Sequence, residues 1–401
     1  KGRFLSLQNF IIYINLPTLY DILGVQREAD QEGLRQAYRK LARRFHPDVN
    51  PDPRSHDMMA RINDAFATLI DDERRREYDA MLTGGFGERA PATQPKSPLQ
   101  VKLIRRLKGH KTPVYSIAFA PDTNQMVSSS FDNEILWWDE ELKDPVRRVK
   151  VESGVVSNIR AVAGDRLVAT GAVESMVSIW DIRNGRTGAH RAGDQEWVAC
   201  VAISPDGDSI ATGSIHNSFG IHRTDNGDLR VEREEHDQSV TAVAWSHDGK
   251  IVATGSGDNT VKLWNSSNGD LIFTFKAVRS AVTALCFSPD GRFLAAAAVD
   301  LSIRVFSMAT GNLEKMMFGH TKPIEALSFH PNGWLFASCG RDGAVKLWNA
   351  DKGIGQLHID ASASPLLTVE FSADGRYLAA GGLDRILRVW EMSEKATEDA
   401  S

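Results

Sequence analysis

The sequence predicts two domains of different class, a small all-α domain followed by a large all-β domain built from a repeat. Two observations carry this reading. Between residues 30 and 69 apolar side chains recur at helical spacing in two runs separated by prolines, and beyond residue 100 one pattern returns seven times at a constant step of 42 residues. With 401 residues, 42% hydrophobic and 25% charged, the chain is long enough for both domains.

Asp30 to Phe45 reads as one helix. Asp30 is placed to cap it, Glu32 adds negative charge at its positive end, and Leu34, Ala37, Leu41 and Phe45 form an apolar stripe. The opposite face is basic, with Arg35, Arg39 and Arg43 every four residues and Lys40 and Arg44 beside them. Pro51 and Pro53 forbid helix and Ser55 restarts it. Met58, Ile62, Ala65, Phe66 and Leu69 then form a second stripe, suited to packing antiparallel against the first. His46-Pro47-Asp48 is thereby predicted at the exposed tip of a helical hairpin. Pro47 fixes the turn, and His46 and Asp48 offer a donor and a charged acceptor to a partner, although any solvated turn uses such residues.

The stretch from Leu16 to Leu82 resembles the J-domain of DnaJ-type co-chaperones. Tyr20-Asp21-Ile22-Leu23-Gly24-Val25 matches its first helix, Ala37-Tyr38-Arg39-Lys40-Leu41-Ala42 its second, Ile62-Asn63-Asp64-Ala65-Phe66 its third and Arg75-Arg76-Glu77-Tyr78-Asp79 its fourth. The resemblance implies that Arg35, Tyr38, Arg39, Lys40 and Arg43, with the His46-Pro47-Asp48 loop, dock on a DnaK-type (heat-shock protein 70) chaperone and trigger its ATP hydrolysis. Two departures are visible. Val49 stands where many relatives carry Arg or Lys, and Gly33 in the first helical turn costs up to ~1 kcal/mol of helix propensity.

In the repeat, Trp138, Trp180, His222, Trp264, Phe306, Trp348 and Trp390 form one column. Asp132, Glu174, His216, Asp258, Asp300, Asp342 and Asp384 precede it by six residues. A third column, Val114, Val156, Val198, Val240, Val282, Ile324 and Leu366, opens alternating runs such as Val240 to Trp245, and turn signals such as Pro289-Asp290-Gly291 separate the strands. From Leu103 to Glu391 this resembles the WD-repeat β-propellers, which implies seven blades of four strands. In that family a His, a Ser or Thr, an Asp and a Trp bond within a blade. Three units keep all four: His110, Ser128, Asp132 and Trp138; His236, Thr254, Asp258 and Trp264; His320, Ser338, Asp342 and Trp348. Units with Glu152, Asp194, Val278 or Ser362 at the His column are expected to rely more on apolar packing.

The last unit ends at Trp390, so Val101 to Leu107 is expected to supply its outer strand and remove the open edge. In WD-repeat relatives, the residues flanking the aliphatic column and the residue before the Asp column rim the narrow face. Here these are Tyr115, Phe131, Val155, Val173, Trp197, Ile215, Val299, Leu367 and Leu383, interrupted by Glu325 and Arg341. They either pack blade against blade or form an exposed binding patch.

No enzyme is expected. The His, Ser and Asp columns recur as a blade-stabilising network requires, whereas a catalytic triad is needed once, beside an oxyanion hole. Cys200, Cys286 and Cys339 lack close pairs, and His46, His56, Asp48 and Asp52 lack a metal-ligand spacing. Neither cofactor nor metal is expected, and without a Gly-rich phosphate loop any ATP belongs to the partner. The net charge of −5 gives no reason to expect nucleic acid, and Phe10 to Ile14 is too short to span a membrane. The few cysteines point to a reducing compartment, and a cytoplasmic protein is expected. The sequence begins at Lys1, which leaves an upstream extension open. The expected organisation is a J-domain at 16–82, a linker at 83–100, a seven-bladed propeller at 101–392 and a disordered tail at 393–401. The expected function is co-chaperoning of a DnaK-type ATPase, with the propeller as client or partner platform. The alternative is a WD-repeat scaffold of a signalling or regulatory complex with an accessory J-domain.

Overall fold

A computed structural model describes residues 20, 23–45, 59, 62–63, 65–66, 69–72, 75–76, 79, 99–139, 141–151, 156–162, 166–173, 176–183, 186–192, 198–276 and 278–394. The chain divides into two compact units, residues 1–83 and 84–401. In the first, helix α1 spans Gln31–Phe45. Its start is fixed by Asp30, whose carboxylate accepts from the Gly33 amide at 2.8 Å and whose carbonyl accepts from Leu34 at 3.0 Å. Leu34 is fully buried, as are Ile62, Ala65 and Leu69, so both apolar stripes contribute to one core.

The second unit contains twenty-eight strands among the described residues, arranged as seven antiparallel four-stranded sheets. Blade 1 is β2–β5 (114–150), blade 2 β6–β9 (158–192), blade 3 β10–β13 (198–233) and blade 4 β14–β17 (240–275). Blade 5 is β18–β21 (282–318), blade 6 β22–β25 (324–360), and blade 7 is β26–β28 (366–394) completed by β1, Leu99–Lys108. The ring therefore closes with a strand from the start of the unit. β1 pairs antiparallel with β28 from Leu99 opposite Glu394 to Lys108 opposite Ile386. The ladder thus takes in the last two residues of the expected linker, Leu99 and Gln100, and includes Ser393 and Glu394 of the expected tail.

The aliphatic column is buried except for the half-buried Val198, and each fully buried side chain contributes about 1.5–3 kcal/mol. It also locks neighbouring blades together. A Cβ on Gly255 of blade 4 would stand 2.4 Å from Val282 of blade 5, so only glycine lets the two approach. In six blades the residue after this column is a bulge. Val114 pairs with Ser130 and Ser116 with Ser129, leaving Tyr115 out of the ladder, and the same slip recurs at Ala199, Thr241, Thr283, Glu325 and Leu367. A bulge re-aims its side chain. Here several of these residues line one cavity of about 400 Å³, among them Thr241, Thr283 and Glu325.

Candidate functional sites: the propeller rim and the basic helix

Four of the rim residues are exposed to a degree that excludes consumption by blade packing: Phe131 53%, Ile215 45%, Val299 51% and Leu383 44%. Phe131, Val299, Arg341 and Leu383 each donate a backbone bond to the residue preceding the aliphatic column, at 2.9–3.3 Å, which seats them above the bulges. Tyr115 and Leu367 are half-buried, and the Tyr115 ring lies 6.1 Å from Phe131. Glu325 and Arg341 form an ion pair within this rim. Trp197 and Val155 lie outside the described residues, and of Val173 only the backbone is described.

The tetrads form completely inside blades 4 and 6 and in part in blade 1. In blade 6, Ser338 Oγ bonds His320 Nε2 at 2.7 Å and receives the Trp348 indole N–H at 2.8 Å, while His320 Nδ1 meets Asp342 at 2.9 Å. Blade 4 repeats this with Thr254, His236, Trp264 and Asp258. In blade 1, His110 and Trp138 both bond Ser128, but Asp132 stands 3.5 Å from His110 and binds the Lys111 amide instead. Burial lowers the His320 pKa, outweighing the Asp342 carboxylate that raises it. Burial pushes the Asp342 carboxyl up, yet the Thr321 amide, His320 and the Ala344 amide together pull it below the ordinary value.

In blades 5 and 7 a buried arginine stands in for the missing His and hydroxyl. Arg304 clasps Asp300 with contacts of 2.7 and 3.3 Å, and Arg388 reaches Asp384 at 2.6 Å beside Ser362 at 2.7 Å. Both arginines are buried. Burial pushes the Asp300 carboxyl up, but Arg304 and Ser302 bring it down to about 2. The sequence signal was present: an Arg stands four residues after the Asp in both blades that lack His and the hydroxyl. In blade 3, Thr212 bonds His222, which replaces the Trp, at 3.3 Å.

A further column, Ala118, Arg160, Ala202, Ala244, Cys286, Ser328 and Glu370, places two charges among small residues on the inner strands. Glu370 keeps partial contact with water, but the surrounding protein pushes its carboxyl up to about 7, against the opposing pull of Arg160 and Ser328. The buried thiols of Cys200 and Cys286 are likewise pushed up to about 12, which makes them poor nucleophiles. Among the described residues no group of His, Cys, Asp and Glu is placed to hold a metal, and no helix is long and apolar enough to cross a membrane.

On α1, Arg35, Arg39, Lys40 and Arg43 are all exposed on the face away from Leu34. Tyr38 is turned differently: its ring stacks on Phe66 at 4.2 Å and its hydroxyl donates to Asn63 at 3.0 Å, so it joins the helices. A second junction ties the beginning of this unit to its end. Asp79 accepts from Tyr20 at 2.9 Å and Arg27 at 3.0 Å, while Arg75 bonds the Tyr20 hydroxyl at 3.0 Å and the Arg27 carbonyl at 2.7 Å. His46, Pro47 and Asp48 lie outside the described residues.

The family model of the DnaJ domain matches residues 18–79. The WD domain, G-beta repeat family matches residues 101–139 and 186–219, and the family described as IFT122 first beta-propeller matches 217–399. The chain joins a DnaJ domain to a WD-repeat propeller. The DnaJ domain is 56% identical over 64 residues to Chaperone protein DnaJ 1 of Aquifex aeolicus (strain VF5), a stretch covering 16% of this chain and 18% of that protein. Chaperone protein DnaJ of Methanothermobacter thermautotrophicus is 50% identical over 67 residues, 17% of this chain and 18% of the relative. Chaperone protein DnaJ of Mycoplasma capricolum subsp. capricolum is 46% identical over 71 residues, 18% of each. The chain thus spans about a fifth of the length of these curated relatives. Tyr20 and Asp79, which open and close the DnaJ motifs, are the residues that the Arg75 junction joins.

Proposed function

We propose that the protein is a co-chaperone whose DnaJ domain recruits a DnaK-type (heat-shock protein 70) chaperone and stimulates its ATPase, while the propeller rim holds a client or partner polypeptide. The observation that carries the reading is the exposed basic face of α1 within the DnaJ domain. Arg35, Arg39, Lys40 and Arg43 are all exposed, on the side of the helix away from the buried Leu34. Tyr38 supports that face by fixing α1 against Asn63 and Phe66. The chain does no covalent chemistry in this reading. ATP is bound and hydrolysed by the partner, and the cytoplasm is the place of action.

Single-turnover ATP hydrolysis by a DnaK-type chaperone tests it. The chain should accelerate hydrolysis, and His46→Gln or Asp48→Asn should remove the acceleration while helix content, read by circular dichroism, stays unchanged. Acceleration by either variant within about twofold of the unmodified chain would overturn the proposal. Arg39→Glu should act in the same direction, with a defect that shrinks as salt screens the encounter.

A further inference from the structure

The outer strands of blades 7 and 1 carry a concentration of positive charge that the rest of the ring lacks. β1 contains Lys102, Arg105, Arg106 and Lys108, and β5 (Pro145–Lys150) contains Arg147, Arg148 and Lys150, with no acidic residue in either strand. By contrast β17 (Leu271–Phe275) has no charge at all, and β21 (Leu313–Phe318) has one of each sign.

The two strands belong to neighbouring blades that share a core. Lys102 and Arg105 lie on the same face of β1 as Leu107, which packs in the core shared with Leu136 and Trp138 of blade 1. The Arg105 guanidinium reaches the Glu141 carbonyl of blade 1 at 3.1 Å. From the other side, Arg148 pairs with Leu136 in the β4–β5 ladder, so it and Lys150 face blade 7. Nearby acids cancel only part of this charge: Glu134 pairs with Arg148, and Glu391, opposite Lys102, is taken by Arg376 at 3.0 Å. The other face of β1 is also basic, through Arg106 and Lys108.

Two apolar side chains stand exposed among these charges, Leu103 on β1 and Val146 on β5, the latter 62% exposed. Moreover, among the described residues β1 is bonded to β28 on one side only, which leaves a row of backbone donors and acceptors along its outer edge. Charge on an edge strand also discourages self-association. That purpose does not explain why β17 lacks it, or why β21 exposes Met316 and Phe318.

We propose that an extended acidic polypeptide segment adds to the free edge of β1. Its carboxylates meet Lys102, Arg105 and Lys150 on one side and Arg106 and Lys108 on the other, and its apolar side chains cover Leu103 and Val146. A free edge suits a polypeptide, whose amides continue the ladder, better than a phosphate polymer or a lipid surface, which have no such groups.

The probe is a fluorescein-labelled peptide of about ten residues in which pairs of glutamates alternate with pairs of valines, so that both faces of an extended strand carry both residue types, and at ~3.3 Å per residue it covers β1. Its anisotropy is measured with the full chain. It should bind more tightly than its lysine–valine counterpart and than oligothymidine of equal charge, and less tightly as salt rises. The triple variant Lys102→Glu, Arg106→Glu, Lys150→Glu should weaken it about tenfold or more with an unchanged melting temperature. A peptide N-methylated at alternate amides tests the edge on the unmodified chain and should lose binding equally. Equal binding of oligothymidine, of the N-methylated peptide, or of the peptide by a folded triple variant would each overturn the proposal.

Discussion

At Ser338 a single hydroxyl oxygen serves two buried partners, His320 and Trp348. Ser338→Ala leaves both without it, and the expected cost is about 2 kcal/mol, read as a lower denaturant midpoint at unchanged slope. Arg388→Leu should cost more, about 3 kcal/mol, because it strands the Asp384 carboxylate in a site where both partners are largely enclosed. The titrating residues act in opposite directions. His320 has a folded pKa below its free value of 6.5, so its contribution to stability is complete above pH 6.5 and is lost as the pH falls into the window beneath. Glu370, raised from 4.5 to about 7, favours the fold below pH 4.5, and that advantage is lost as the pH rises through 7. Melting temperatures should show it: Glu370→Gln gains more over the unmodified chain at pH 8 than at pH 5, and His320→Asn flattens the decline between pH 7 and pH 5. A Glu370→Gln gain equal at both pH values would mean that the fold does not hold this carboxyl protonated.

Among the elements, β1 carries the clearest expectation. A chain beginning at Lys108 should melt below one beginning at Leu99, because Trp390 and Met392 lose the strand that covers them and β28 becomes an open edge. Equal melting temperatures would mean that β1 contributes nothing to the ring. The strand was legible because a column count showed one outer strand missing after Trp390 and one spare before His110. What could not be read was the direction of Tyr115, Glu325 and Leu367. A bulge pairs two residues with one, and nothing in an alternating apolar pattern announces it. The roles of Arg304 and Arg388 escaped for a related reason. The loss of His in one column is compensated in another, and only the fold brings both columns to the same carboxylate. On α1, Gly33 looks unfavourable by propensity, yet a Cβ there would stand 3.1 Å from the capping oxygen of Asp30, so Gly33→Ala should gain less than the ~1 kcal/mol that propensity alone suggests.

For the whole molecule, the two activities proposed above should separate. Phe131→Ala combined with Trp197→Ala should weaken capture of an unfolded reporter polypeptide while leaving ATPase stimulation unchanged, since Phe131 stands on the rim and α1 belongs to the other unit. Loss of stimulation with retained capture would reverse the assignment. The joining of β1 to β28 also has a consequence for birth on the ribosome. β1 is the first strand of the propeller to be synthesised and β28 the last, with every other strand between them. At about 5–20 residues per second, roughly 15 to 60 s pass before β1 can meet its partner. During that interval the DnaJ sequence has already been translated, and the incomplete ring presents two unpaired edges to the crowded interior of the cell.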